Sequence, residues 1–426
     1  MNALHLLETL VSIPSVNPFK YFAGANGGYI GMGAEEQVNN FIEDLLRKAG
    51  FEVSRQLLHP KTTVMTPTGP VEAPARWNVL GVRYPSGSWN GKSILFFGHT
   101  DTVEVKQNWQ SDPFSITKKT EDGRERWYGL GANDMKGGLA AIVDAISSVS
   151  PNQYAIKVAF VVDEEFYSFG AHVLCESDFM KDVVLAIAPE IGDGEEAPHE
   201  PKDHQSIGLG RTGRVEYDFK ITGRACHGAD AFVSATAVNA VHESVKLQGA
   251  LIQDCAAQKR KFEQHGAVSF NSAFISCHLG GSPTLSIPDT ASFVLDRTFL
   301  PDESPEAELT RLTAVVTALQ SSGEVDSRAR ITVSTKDRPT PACLPYITPL
   351  EGPEIDLLLK AIKSQTRSTS FSIGRSVADE NRVAVLGIPT LTIGPTGAGS
   401  HTPHEWVDPL SVLRVSEIFK TFIASC

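Results

Sequence analysis

The sequence predicts an α/β protein: a mostly parallel sheet covered by helices, interrupted by a smaller inserted α+β domain of ferredoxin-like order. Three observations predict it. Apolar runs without alternation, at residues 94–97, 156–162 and 183–188, read as strands buried on both faces. Segments of helical periodicity or small-residue composition, 35–49 and 138–148, read as helices covering such a sheet. In contrast, residues 215–222 (VEYDFKIT) alternate strictly, with Val215, Tyr217, Phe219 and Ile221 on one face, as in a sheet covered on one side only.

The elements run in order. Leu4, Leu7, Leu10 and Val11 have helical spacing, and Pro14 ends that first helix. Gly50 closes the helix over 35–49, and the buried-strand pattern then runs to about residue 200. The pattern changes at Gly210. After strand 215–222 come a helix at about 234–250, strands at about 267–276 and 290–296, a helix opened by Ser304 and Pro305, and a strand at 330–335. That βαββαβ order marks an insertion at 210–336 into one domain formed by 1–209 and 337–426. Past the Pro-rich stretch 338–349, LGIPTLTIGP (386–395) is the last buried strand, and 409–425 is a closing helix.

Composition narrows the function. A net charge of -12 over 426 residues argues against nucleic acid or an anionic membrane as the main partner. Six cysteines without a CxxC pair, in a chain too large to need disulfides, suggest reduced thiols and the cytoplasm. The N-terminus lacks the basic and long apolar regions of a signal peptide, and no apolar run approaches the roughly 18 residues of a membrane span. A soluble protein is expected.

Candidate metal ligands stand at the strand ends, where α/β folds place their sites. GHTDTV supplies His99 and Asp101, GANDMKGG supplies Asp134, DEE supplies Glu164 and Glu165, APEIGD supplies Glu190 and Asp193, and GSHTPHEW supplies His401. Each alone has a plainer reading. His99 and His401 could be hydrogen-bonded loop residues, Asp134 a helix N-cap, and the glutamate pair a helix start. Together, two imidazoles and three carboxylates, one of them shared, are what a pair of borderline divalent ions requires.

GHTDTV, GANDMKGG, DEE, GSHTPHEW and the opening LLETLVSIPSVNP resemble the zinc-dependent aminoacylase and glutamate carboxypeptidase family, which includes succinyl-diaminopimelate desuccinylase and acetylornithine deacetylase. The match covers nearly the whole chain in order. It implies a hydrolase cutting the amide C–N bond of an N-acyl amino acid or small peptide, with carboxypeptidase or dipeptidase action as the alternative. It also implies two divalent ions, most simply zinc, with cobalt or manganese possible, roughly 3.5 to 4 Å apart. On this resemblance Asp134 bridges the ions, His99 and Glu190 complete one site, and Glu165 and His401 the other. Asp101 orients the His99 ring, and the Asp134–Met135 bond is cis.

The same resemblance makes Glu164 the general base, taking a proton from the attacking water and passing it to the leaving nitrogen. His227 then stabilises the oxyanion in the partner subunit's site, so the inserted domain is a lid and the protein a homodimer. Arg297 grips a substrate carboxylate, and Asp379 and Asn381 order the loop beneath it. The pattern is broken in three places. Leu285 stands where the family carries asparagine; Asp296 and Arg297 are adjacent rather than spaced by one; and Pro189 precedes Glu190, leaving Asp193 as the alternative ligand. The insertion at 20–33 and the segment 193–208 are candidates to line the pocket.

Overall fold

The structure is a computed structural model that describes residues 1–18, 35–66, 69–190, 203–282 and 284–426. Asp193 and residues 20–33 lie outside these.

Nine strands form the central sheet: β1 (Glu52–His59), β2 (Arg76–Arg83), β3 (Ser93–His99), β4 (Ala155–Val161), β5 (Val183–Ala188), β6 (His204–Arg211), β11 (Tyr346–Ile347), β12 (Ser368–Gly374) and β13 (Thr390–Thr392). Their order is β1-β2-β4-β3-β5-β13-β6-β11, with β12 also paired to β6. The sheet is mixed rather than mostly parallel. β4, β3, β5 and β13 run parallel at its centre, whereas β1 to β2, β2 to β4, β13 to β6 and β6 to β11 pair antiparallel. The apolar stretches encode the double burial of the central run, and β2, paired antiparallel on both sides, shares that burial over residues 76–81.

Helices α1 (Ala3–Ser12), α2 (Glu36–Lys48), α3 (Gly137–Ser148), α6 (Pro353–Gln365) and α8 (Pro409–Ser425) share one core on one face. Phe96 points into that core and Phe97 into a second, smaller one on the opposite face. Adjacent strand residues thus both meet apolar partners, which removes the alternation from the sequence. Among the described residues no helix is long and apolar enough to cross a membrane.

The alternating segment is β7 (Gly213–Thr222), third in a four-stranded antiparallel sheet ordered β8 (Ala273–Gly280), β9 (Thr290–Phe299), β7, β10 (Arg330–Thr335). Its Val215, Tyr217, Phe219 and Ile221 are buried under α4 (Ala240–Ala257) and α5 (Pro305–Ser322), with Phe219 stacked on Phe293 at 4.6 Å. α4 starts later than its sequence pattern suggests, because the Asn239 side chain accepts from the N–H groups of Val241 and His242 and caps it there. Likewise, the expected strand at 267–276 is divided. Residues 267–270 pair in a hairpin with 261–264, and β8 begins after the break.

Because β4, β3 and β5 are parallel neighbours in near register, their carboxyl ends bring three loops to one edge of the sheet. His99 ends β3, the DEE turn comes directly after β4, and Glu190 stands just past β5. Two glycines let the chain close tightly there. A Cβ on Gly138 would lie 2.1 Å from the Pro189 carbonyl oxygen, and one on Gly394 would lie 2.0 Å from that of Glu190. Gly138→Ala is therefore expected to cost roughly 1–3 kcal/mol by overpacking, read as a shift in the urea midpoint without a change in slope.

Candidate active site

At that edge the side chains form two groups that share one residue. His99, Asp134 and Glu190 place potential ligand atoms within 4.8 Å of one another, and so do Asp134, Glu165 and His401. His99 Nε2 lies 3.0 Å from Asp134 Oδ1 and 3.2 Å from Glu190 Oε2. His401 Nε2 lies 3.1 Å from both Asp134 Oδ2 and Glu165 Oε2. One Asp134 oxygen faces each imidazole. These carboxylates hold both histidines above their ordinary value, with His401, through its bonds to Asp134 and Glu165, at about 11. A proton and a divalent cation answer the same convergence of acids, and a cation displaces the proton. Two neutral nitrogens and three carboxylates, arranged in two overlapping sets, fit a pair of divalent ions.

The DEE triplet is resolved into three tasks. Glu165 belongs to a ligand group and Glu164 to neither, yet Glu164 lines the adjoining cavity, whose volume is about 840 Å³. Burial holds the Glu164 carboxyl well above the usual carboxylate range. Asp163 turns the other way. It adopts φ 70°, a left-handed conformation that aspartate tolerates better than most residues, and its Oδ1 accepts from Asn17 at 3.1 Å and Arg76 at 3.2 Å. Arg76 is itself buried and paired with the buried Glu35.

Asp101 has a different role from the one expected. The His99 ring is fixed through Nδ1 by the backbone carbonyl of Asp101 at 2.9 Å, whereas the carboxylate Oδ1 stands 3.6 Å away. The carboxylate instead accepts the N–H groups of Glu164 at 3.2 Å and Glu165 at 3.1 Å, and the Asn17 amide at 2.7 Å. It orients the acidic turn.

Arg297 is not at the site. In β9 it sits opposite Val215, on the helix-covered face, and bonds Glu303 at 3.2 Å and Glu308 at 3.3 Å. Its neighbour Asp296, opposite Glu216, lines the cavity, since adjacent strand residues point to opposite faces. Asn381 is also internal. Fully buried in α7 (Asp379–Ala384), it accepts from the Ala378 N–H and donates to the carbonyls of Thr212 and Leu344, tying α7 to the start of β7. His227 is exposed in the connection that follows β7, where its Nδ1 accepts from Ala229 N–H at 3.2 Å. Leu285 is exposed too, at 70 %. The Asp134–Met135 bond is cis.

One residue that sequence reasoning passed over stands directly behind the shared ligand. Glu405 is buried, and its carboxylate accepts the N–H groups of Gly131, Asn133 and Asp134, each at 3.0 Å. Burial pushes its carboxyl up to about 8. Its position four residues past His401 was visible; its burial was not. Glu405→Ala leaves three buried N–H groups unpaired around Asp134, and metal affinity is expected to fall about 10- to 100-fold, as measured by titration against a chelator.

Comparison with known proteins decides the family. Residues 95–425 match the model of peptidase family M20/M25/M40. The chain belongs to that family. Acetylornithine deacetylase of Proteus mirabilis is 29% identical over 215 residues, 50% of this chain and 47% of the relative, so the matched part spans about half of that protein. Succinyl-diaminopimelate desuccinylase of Sphingopyxis alaskensis is 25% identical over 99% of this chain and 97% of its own. Among solved structures, the aminopeptidase PepT of Bacillus cereus superposes with a TM-score of 0.68 at 18% identity, covering 99% of this chain and 97% of PepT. The YXEP protein of Bacillus subtilis, a dinuclear metal-binding peptidase of family M20, gives 0.65 at 13% identity over 99% and 96%. At these identities the two structures establish the M20 fold.

Proposed function

We propose that this M20-family chain is a metal-dependent hydrolase that cleaves the amide C–N bond of an N-acyl amino acid or short peptide. The observation that carries the reading is one arrangement: two ligand groups sharing Asp134, with Glu164 beside them on the cavity wall and in neither group. A binding protein needs the ligands alone. Divalent ions held there, zinc by preference and cobalt or manganese by the same donors, would polarise the amide carbonyl and lower the pKa of water.

The chain's own residues do the rest. His99 and Glu190 would hold one ion, Glu165 and His401 the other, and Asp134 would serve both. Glu164 accepts the proton of the attacking water and returns it to the leaving nitrogen, for which a carboxyl with a raised pKa is suited. Asp101 keeps Glu164 and Glu165 aimed in their separate directions through their N–H groups.

Residues 1–209 and 337–426 form the catalytic domain in this reading, and 210–336 form a ferredoxin-like lid through which two copies pair. His227, exposed and outside its own cavity, then serves the partner subunit's site as an oxyanion donor. Six unpaired cysteines accord with a reducing compartment such as the cytoplasm. The test is a panel of N-acyl amino acids and dipeptides assayed with metal-reconstituted protein. Two bound metal equivalents and no amide hydrolysis across the panel would overturn the reading.

A further inference from the structure

The cavity beside the ligand groups is lined by five cations, Arg211, Arg214, Lys336, Arg338 and Arg375. Four are already neutralised. Arg211 pairs with the buried Glu380 at 2.9 Å, Arg214 makes a two-pronged contact to the buried Asp296 at 2.8 and 2.5 Å, and Lys336 and Arg338 share Glu216 at 2.7 and 2.9 Å. Arg375 is the exception: among the described residues its guanidinium has no ion pair and no hydrogen bond, while its carbonyl is fixed by the Thr212 hydroxyl at 2.8 Å. An anchored backbone thus holds an exposed, uncommitted planar cation at the wall of the cavity.

A second recess meets the first at this residue. It has a volume of about 410 Å³ and is lined by Ile252, Cys255 and Ala256 of α4 and by Phe270, together with Lys259, Asn271 and Ala273, and both Arg375 and Ser272 border the two spaces. A ligand reaching from the ligand groups to Arg375 therefore arrives with its next substituent facing a mainly apolar wall that also carries Lys259 and Asn271.

We propose that Arg375 anchors the substrate's free carboxylate and that the recess beside it takes an apolar side chain. This rests on the hydrolase reading above and narrows its substrate to an N-acylated amino acid of apolar character. An arginine fork binds a carboxylate through two parallel hydrogen bonds, and only a fork not already spent on an internal acid contributes such a contact. Arg297, spent on Glu303 and Glu308, does not.

The experiment compares metal-loaded wild type, Arg375→Gln and Arg375→Lys on pairs of N-acetyl amino acids and their carboxamides. Wild type is expected to favour the carboxylate member. Arg375→Gln raises its KM roughly 10- to 100-fold, the loss of a charged hydrogen-bonded contact, with the carboxylate-to-carboxamide ratio of kcat/KM falling towards one. Arg375→Lys restores part of the ratio. A ratio unchanged in active Arg375→Gln overturns the anchor. Leucine and phenylalanine derivatives should exceed glycine and aspartate derivatives, and equal kcat/KM values overturn the recess. Calorimetric titration with N-methyl-leucine, which has no amide to cut, keeps the two readings apart. If no substrate is hydrolysed, the hydrolase reading fails, while weaker N-methyl-leucine binding in Arg375→Gln still supports the anchor and equal binding overturns it.

Discussion

Glu164→Gln is expected to lower kcat by about 10²- to 10⁴-fold while leaving metal content and fold unchanged. The two neighbouring glutamates make this a sharp comparison, because they share a turn and face different tasks. Glu165 bonds His401 in a ligand group, and Glu164 belongs to none. Glu165→Gln should therefore lose bound metal first and activity as a result. Metal analysis, circular dichroism and kcat on one substrate distinguish them. A Glu164→Gln protein that keeps its rate removes the proton-transfer role, and one that loses its metal makes Glu164 a ligand. The pH profile adds a sign. Since burial raises the Glu164 pKa, the base form is lost as pH falls through that raised value, so wild type should show an acid limb displaced upward from an ordinary carboxylate. In Glu164→Gln that limb should disappear from the residual rate.

Three of the five candidate ligand positions, His99, Glu165 and Glu190, were legible because each stands just past an apolar run, whereas Asp134 and His401 stand in glycine-containing loops and were legible only by their motifs. A short run of Ile, Val, Leu and Phe announces a buried strand, and the first His, Asp or Glu beyond it has few places to go except the sheet edge. Which atom of a residue is used was not legible. Asp101 is two residues past His99, and its carbonyl and its carboxylate both lie near the ring; only the backbone path decides that the carbonyl takes Nδ1 and the carboxylate takes the DEE turn. Arg297 turned on a single-residue register. Its type suggested a substrate carboxylate, and strand alternation sent it under α5 and sent Asp296 to the cavity.

Sequence distance hid the rest. Glu405 meets the Gly131 N–H across 274 positions, and Arg76 meets Asp163 across 87. Neither residue sits in a local pattern that requires a partner, so charge alone gave no sign that either is buried. The mixed sheet was hidden for a related reason. Burial of β2 over residues 76–81 resembles that of a parallel strand, whereas its direction is set by its connections and not by its side chains.

Arg76 leads to the largest stability prediction. Its guanidinium is 2 % exposed and lies between Glu35, 1 % exposed, and Asp163, 3 % exposed. Removing one member of such a buried set leaves charges without compensation, so Arg76→Met is expected to cost about 3–5 kcal/mol in denaturant unfolding. The loss should depend on pH in a definite direction. Glu35 already titrates above its ordinary 4.5, chiefly through burial, with Arg76 the main opposing influence. Taking Arg76 away raises the folded-state value further, so the folded protein binds a proton that the unfolded chain releases. Stability is then lost as pH rises through the raised value, and the gap between variant and wild type should narrow as pH falls towards 4.5. A gap that widens on acidification would contradict the assignment. Replacing the pair together, as Arg76→Met with Glu35→Leu, should recover much of the stability, because apolar side chains often substitute for a buried ion pair at little cost. It should not recover the rate. Asp163 would still lack the guanidinium that, with Asn17, holds it in the left-handed turn from which Glu164 and Glu165 diverge. A double variant that is stable yet slow in kcat assigns Arg76 to positioning that turn, and one that regains both stability and rate confines it to packing.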